Sequence, residues 1–288
     1  MQLAWRIQTG NTITYNLPSC TAFEILCYND ANITGTFSYT VDGGGSTAIT
    51  ATQADSSGNT SGYKRFAVTG LSQATHTVVI TGTAASNAII MGVRYHSGAG
   101  VIVSRQGRGG YTTLDALGFG AAFPGNPNAV GNAAAQARMA AFYGAWGPAL
   151  WILHFDYNDW QAQISASYSS GLKPTPTQYS ANLQTMITNI AASGGCTLLL
   201  GGGNSPSATT PVGGEELTAY WNALKALTQA NADTCAAMIQ SEYWGSAADG
   251  VALGLNASST SIHPSVRGYG SIGRGIYSAL SDRTIPGI

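Results

Sequence analysis

Charge is what this sequence has least of. Of its 288 residues, 12 are Lys or Arg and 13 are Asp or Glu, 9% in all, against about 25% in an ordinary globular domain. That is too little positive charge to build the basic face that displaces counterions from phosphates, which argues against a nucleic-acid partner. A charge-rich disordered chain is excluded as well, because 44% of the residues are apolar, enough to build a core. No run of about 18 apolar residues occurs, so no segment reads as a membrane span. The opening residues Met1-Gln2-Leu3-Ala4-Trp5-Arg6 lack the basic-then-apolar order of a secretory signal and read as the interior of a domain. Cysteine is sparse. Cys20, Cys27, Cys196 and Cys235 form no CxxC pair and sit at no zinc-finger spacing from a histidine. They read as buried thiols, with a Cys20–Cys27 bridge as the alternative. His76, His96, His154 and His263 are scattered, so no metal site and no cofactor is expected.

What is present divides into two grammars. Residues 1–92 alternate apolar and polar in short runs, such as Phe23-Glu24-Ile25-Leu26-Cys27-Tyr28, Phe37-Ser38-Tyr39-Thr40-Val41 and Thr75-His76-Thr77-Val78-Val79-Ile80. Turn signals such as Asp42-Gly43-Gly44-Gly45 and Thr69-Gly70 separate them. Strands at this spacing predict a β-sandwich, jelly-roll-like module. Residues 93–288 change to α/β. Val101-Ile102-Val103, Leu150-Trp151-Ile152-Leu153-His154-Phe155 and Cys196-Thr197-Leu198-Leu199-Leu200 read as buried strands. Leu183, Met186, Ile187 and Ile190, and then Leu217, Tyr220, Trp221 and Leu224, fall at helical spacing. Thr112-Thr113 reads as a helix start, residues 130–144 as an Ala-rich helix, and residues 268–280 as the last helix. Strands alternating with helices imply a parallel sheet, whose ligands bind beyond the strands' C-terminal ends.

Three segments lie at such ends or follow them in order: Gln106-Gly107-Arg108-Gly109-Gly110, Asp156-Tyr157-Asn158-Asp159 and Thr260-Ser261-Ile262-His263-Pro264. In this order they resemble the second, third and last sequence blocks of the SGNH hydrolase family of esterases and acetylesterases, over about residues 93–280. The resemblance implies a three-layer α/β domain. It implies Gly110 and Asn158 as oxyanion-hole donors and His263 as the catalytic base. The chemistry is coherent. Acyl transfer builds charge on the carbonyl oxygen, and one well-placed donor there is worth about 3–4 kcal/mol. A histidine titrating near neutrality suits the proton transfer. Taken singly, Gly107 to Gly110 reads as a strand-to-helix turn, Asn158-Asp159 as a helix N-cap, and His263-Pro264 as a loop.

Two departures stand out. The family's first block, a Gly-Asp-Ser carrying the nucleophile, is absent. Asp55-Ser56-Ser57-Gly58 is the nearest string and reads as a hairpin loop, while Ser104 occupies a second-block slot. Thr260 stands where the family has the aspartate that orients the histidine, with Asp249 as a candidate substitute. Some SGNH acetylesterases carry a β-sandwich inserted between the first and second blocks. On that resemblance the nucleophilic serine is expected from an upstream polypeptide segment or another chain. Tyr39-Thr40-Val41-Asp42-Gly43-Gly44 resembles a hairpin of carbohydrate-binding-like β-sandwich modules. The uncharged, glycine-rich composition resembles phage tail-fibre and tailspike proteins. Together these resemblances imply a polysaccharide substrate, an esterase removing O-acetyl groups, a virion or extracellular setting, and room for a homo-oligomer. The competing reading is an inactive SGNH-like scaffold serving as a glycan-binding or structural module. Trp5, Tyr39, Trp160, Tyr243 and Trp244 are candidates to stack on sugars, core packing being the ordinary use of any one of them.

Overall fold

The computed structural model describes residues 5–29, 35–50, 53–56, 58, 60, 62–83, 88–97, 112–117, 137, 141–144, 149–162, 174–202, 214–240, 244, 247–256, 258 and 264–281. The chain divides into two compact units, Met1–Arg108 and Gly109–Ile288.

The first unit consists of two antiparallel four-stranded sheets. One runs β1 (Trp5–Ile7), β8 (Ala88–His96), β3 (Ala22–Asn29), β6 (Gly62–Val68). The other runs β2 (Thr12–Cys20), β7 (Ala74–Gly82), β4 (Phe37–Val41), β5 (Thr47–Ile49). The boundary expected after residue 92 falls inside β8. Strand periodicity decides the core: Phe23, Ile25 and Cys27 of β3, Val78 and Ile80 of β7 and Ile90 of β8 all turn into one cluster with Phe37, Ile49 and Phe66. Burying each large apolar side chain contributes about 1.5–3 kcal/mol. Cys20 and Cys27 are free, so the bridge alternative is not realised. Burial pushes the Cys27 thiol up to about 12, which leaves it inert.

The Asp42-Gly43 signal makes the turn it predicts. Both residues have positive φ, 53° and 71°, and the Gly44 N–H donates to the Val41 carbonyl at 2.9 Å. This is the type I′ geometry that matches strand twist. The turn is tied to β7 through the Asp42 carboxylate, which accepts from the Thr77 N–H at 2.7 Å and from His76 Nδ1 at 2.7 Å. His76 Nε2 lies 2.9 Å from the Ser72 carbonyl. Both partners of the ring are acceptors, so both ring nitrogens donate and the side chain is an imidazolium. The Asp42 hydrogen bond and the Ser72 carbonyl hold the His76 pKa above its ordinary value, and the His76 and Thr77 donors hold the Asp42 carboxyl below its own.

The second unit holds a parallel sheet in the order β11 (Cys235–Ile239), β10 (Cys196–Gly201), β9 (Leu150–Leu153). Among the described residues its named helices are α1 (Thr113–Ala116), α2 (Asp156–Gln161), α3 (Pro176–Ala192), α4 (Leu217–Ala230), α5 (Ala247–Ala252) and α6 (Val266–Ser281). The α3 start combines a Thr175–Gln178 capping box with Pro176 at the first helical position. Leu183, Met186, Ile187 and Ile190 form its buried face, and Leu217, Tyr220, Trp221 and Leu224 that of α4. The predicted strand Val101-Ile102-Val103 and most of the predicted helix 130–144 lie outside the described residues. No helix among the described residues is long and apolar enough to cross a membrane.

The His76–Asp42 pair predicts a pH window for the β unit. Its contribution is full below the unfolded histidine value of about 6.5 and is lost as pH rises through the elevated His76 pKa. On the acid side it is lost as pH falls through the depressed Asp42 pKa. Urea midpoints of the β unit across this range are expected to fall at both ends, and His76→Gln to flatten the alkaline fall.

Candidate active site at the strand ends

Among the described residues, the C-terminal ends of β9, β10 and β11 meet around one carboxylate. β9 ends at Leu153, and after His154 and Phe155 the chain enters α2 at Asp156. Asp156 has no exposure. Its Oδ2 accepts from the Gly202 N–H and from the Trp221 indole N–H, each at 2.7 Å. Gly202 follows β10, and Trp221 belongs to α4. Gly202 has φ +106°, and a Cβ there would lie 2.6 Å from the Gln240 Cβ just past β11. Only glycine places a free N–H at that point.

His154 faces the other oxygen, its Nε2 3.3 Å from Asp156 Oδ1, while its side chain is 46% exposed. Burial pulls the imidazole pKa down, but the nearby Asp156 carboxylate outweighs it, so His154 stands above its ordinary value; the contact is an ion pair, and Asp156 Oδ1 has no hydrogen-bond partner. For Asp156, burial pushes the carboxyl up, and His154, Gly202 and Trp221 together bring it below the usual carboxylate range.

A second buried carboxylate lies three residues on. Asp159 accepts from the Thr113 N–H at 2.7 Å and the Thr113 hydroxyl at 2.5 Å. Asn182 Nδ2 donates to the same Thr113 oxygen at 2.9 Å. Burial raises the Asp159 pKa well above its ordinary value; the Thr113 donors oppose that rise, and the charges of Asp156 and Asp115 add to it. Thr113 opens α1, where Thr112 and Asp115 form a capping box. The structure therefore fastens the chain that follows Gly110 to the helix that carries Asn158.

Asn158 sits in α2, one residue before Asp159. The N-cap of that helix is Phe155, so Asn158 and Asp159 are not its caps. Gly110 and His263 lie outside the described residues, as do Thr260 and Ser104. The chain just past His263 is anchored. Pro264 bridges to Asn256, and the Ser265 N–H donates to the Leu255 carbonyl at 2.8 Å. Asp249 lies in the first turn of α5. Asp55 and Ser56 fold onto β6: Asp55 accepts from the Arg65 N–H at 2.8 Å, and the Ser56 hydroxyl accepts from the Ala67 N–H at 2.8 Å. That is the hairpin role rather than a nucleophile's. Trp160 and Trp244 are buried, with indole N–H groups on the Glu215 carbonyl and the Ser271 hydroxyl. Neither offers a face to a sugar. Among the described residues no group of three His, Cys, Asp or Glu could hold a metal ion.

Sequence reasoning missed the His154–Asp156 pair. Its signal is a His-x-Asp straddling the end of a predicted strand, a pattern too short to single out.

No protein-family model matches the chain, and no curated protein matches it. Solved structures do resemble it. Protein YXIM of Bacillus subtilis aligns over 96% of this chain and 82% of its own, at 14% identity and a TM-score of 0.45. A carbohydrate esterase family 2 enzyme with a carbohydrate-binding domain, from Corynascus thermopiles (Myceliophthora fergusii), aligns over 97% and 99% at 14% identity and a TM-score of 0.36. A salicylyl-acyltransferase from a tetracycline biosynthetic pathway aligns over 94% and 82% at 12% identity and a TM-score of 0.39.

The Thr113 clamp gives a stability prediction. Thr113→Val keeps the shape and removes the hydroxyl, leaving Asp159 and Asn182 each short of a partner. A loss of about 1–3 kcal/mol is expected in the urea transition of the α/β unit, with the β unit's transition unmoved.

Proposed function

We propose that the α/β unit is an esterase scaffold that removes acyl groups, O-acetyl above all, from a polysaccharide. In this reading His263 is the base that takes the proton of the attacking hydroxyl. The Gly110 N–H and the Asn158 amide receive the developing oxyanion, and the β unit contributes glycan binding. The observation that carries it is the Thr113–Asp159 clamp, which fastens the start of α1, three positions past Gly110 in the sequence, to the helix that carries Asn158 just beyond the C-terminal end of β9. That is where an α/β sheet binds its ligands. The reading rests on these residues and not on the fold similarities, all of which fall below a TM-score of 0.5.

No Gly-Asp-Ser occurs in the sequence. We therefore assign the nucleophilic serine to a segment or chain outside these 288 residues, in a virion tail or an extracellular assembly. Intact-mass and N-terminal analysis of the native particle is expected to find that segment; a particle holding this chain alone sinks the assignment.

The experiment for the activity is hydrolysis of 4-nitrophenyl acetate and of an acetylated glycan by the native assembly. His263→Ala is expected to lower kcat/KM by about 10²–10⁴-fold. Glycan binding without hydrolysis supports instead the inactive module, which Thr260 in the aspartate's place favours.

A further inference from the structure

We propose that the open edge of β2 is a self-association surface: two copies of this chain pair their β2 strands antiparallel about a two-fold axis at Thr14, joining their sheets into one continuous sheet. The inference is independent of the esterase reading.

A sheet edge exposes unpaired N–H and C=O groups, and folds blunt such edges by keeping them short, charging them or covering them. Among the described residues the β unit has four edge strands, β1, β6, β2 and β5. Strands β1 and β5 have three residues each. Strand β6 is covered. The Asp55 carboxylate accepts from the Arg65 N–H at 2.8 Å, the Ser56 hydroxyl accepts from the Ala67 N–H at 2.8 Å, and the Ser56 N–H donates to the Arg65 carbonyl at 2.9 Å. It also carries Lys64 and Arg65. Strand β2 differs on every count. It is nine residues long. It ends its sheet, with β7 on one side and no described residue paired to the other. From Ile7 to Phe23 the sequence holds no Asp, Glu, Lys or Arg.

The open groups can be assigned. The Gly82 N–H donates to the Asn11 carbonyl at 3.0 Å, in the register that sets Thr12 against Thr81. Antiparallel bonding alternates along a strand. Ile13, Tyr15 and Leu17 therefore bond to β7, while Thr12, Thr14 and Asn16 direct their N–H and C=O groups to the open side. The side chains of those three are exposed, and Ile13 and Tyr15 pack against the core. Both ends of the open stretch are marked. Gly10 has φ +80°, which turns the chain out of the extended form, and Pro18 has no N–H to offer. Thr14 lies midway between them.

An axis there sets Thr14 against Thr14 of the second copy, Thr12 against its Asn16 and Ile13 against its Tyr15. Exposed side chains meet exposed ones and core-side ones meet core-side ones, as the two-residue period requires. Every open N–H and C=O of Thr12, Thr14 and Asn16 gains a partner. Self-pairing about an axis at a charged residue would set like charges opposite each other, and this stretch has none. Pro18 of the second copy comes level with Gly10, beside an open groove of about 400 Å³ lined by Arg6, Ile7 and Gly10 to Ile13.

Sedimentation velocity of the full chain over roughly 1–500 µM, where a small interface associates, is expected to show a monomer–dimer equilibrium. Thr14→Lys and Thr14→Glu each place like charges across the axis, and each is expected to weaken association at least ten-fold. Mixed in equal amounts, the two variants are expected to dimerise again, because lysine then faces glutamate. In the wild type, amide exchange at Thr12, Thr14 and Asn16 is expected to slow as concentration rises. A wild type that stays monomeric overturns the proposal. So does a dimer that both substitutions leave intact, or one that mixing fails to restore. Should a variant fail to fold, concentration-dependent exchange at those three amides of the wild type decides alone.

Discussion

A carboxylate with no exposure to water is the constraint around which the α/β unit is arranged. Ionised Asp156 is tolerable only with charge-assisted donors on it, since an isolated buried charge neutralises itself by shifting its pKa. Here each donor comes from a different element. Gly202 requires β10 to end where it does, in a backbone conformation that admits no side chain next to Gln240. Trp221 requires α4 to lie with its buried face over the same point, which the Leu217, Tyr220, Trp221 and Leu224 spacing secures. His154 comes within 3.3 Å of the other oxygen as an ion-pair partner because β9 ends at Leu153, just before it. Strand lengths, helix phase and the glycine after β10 are thus parts of one solvation shell.

The neighbouring carboxylate behaves oppositely. Asp156 and Asp159 lie on one short helix, three residues apart. Asp156 sits below its usual range and Asp159 well above its own. Like charges in a water-poor space raise one another's pKa, and the donors around each carboxyl oppose that rise to different extents. Asp159 is given to Thr113, whose hydroxyl also receives Asn182 and so joins α1, α2 and α3. Both carboxylates tie elements together, Asp156 through Gly202 and Trp221 and Asp159 through Thr113. Environments that push two pKa values apart are the physical basis for separating acid, base and structural roles in one site.

What the sequence disclosed follows from how local each signal is. The faces of α3 and α4, the start of α1 at Thr112-Thr113, the strands β9 and β10 and the Asp42-Gly43 turn depend on residues a few positions apart, and all are where spacing put them. β11 went unpredicted because Cys235-Ala236-Ala237-Met238-Ile239 has two alanines at its centre and gives little apolar contrast. The polar ties span the chain: His76 reaches Asp42 across 34 residues, Thr113 reaches Asp159 across 46 and Trp221 reaches Asp156 across 65. No periodicity encodes such pairs. The tryptophans show the same limit. Composition shows an aromatic but not its partner, and Trp160 and Trp244 satisfy their indole N–H groups inside the fold.

The scarcity of charge also takes on a different meaning. With 25 acidic and basic residues in the whole chain, a neutral surface suited to a neutral partner is the first inference. Yet Asp55, Lys64, Asp115, Asp156 and Asp159 are buried, a fifth of the total and the class of residue least often found inside. Three of these belong to the second unit, and the charges of Asp156 and Asp115 lie close enough to Asp159 to add to the rise that burial gives its pKa. A chain this poor in charge that still places carboxylates out of water at one end of one sheet is not economising on polarity. Replacing such groups with apolar residues is often neutral or stabilising, so stability alone does not account for retaining them. Two of them tie elements together at that end of the sheet: Asp156 accepts from Gly202 and Trp221, and Asp159 fastens Thr113 to the helix that carries Asn158.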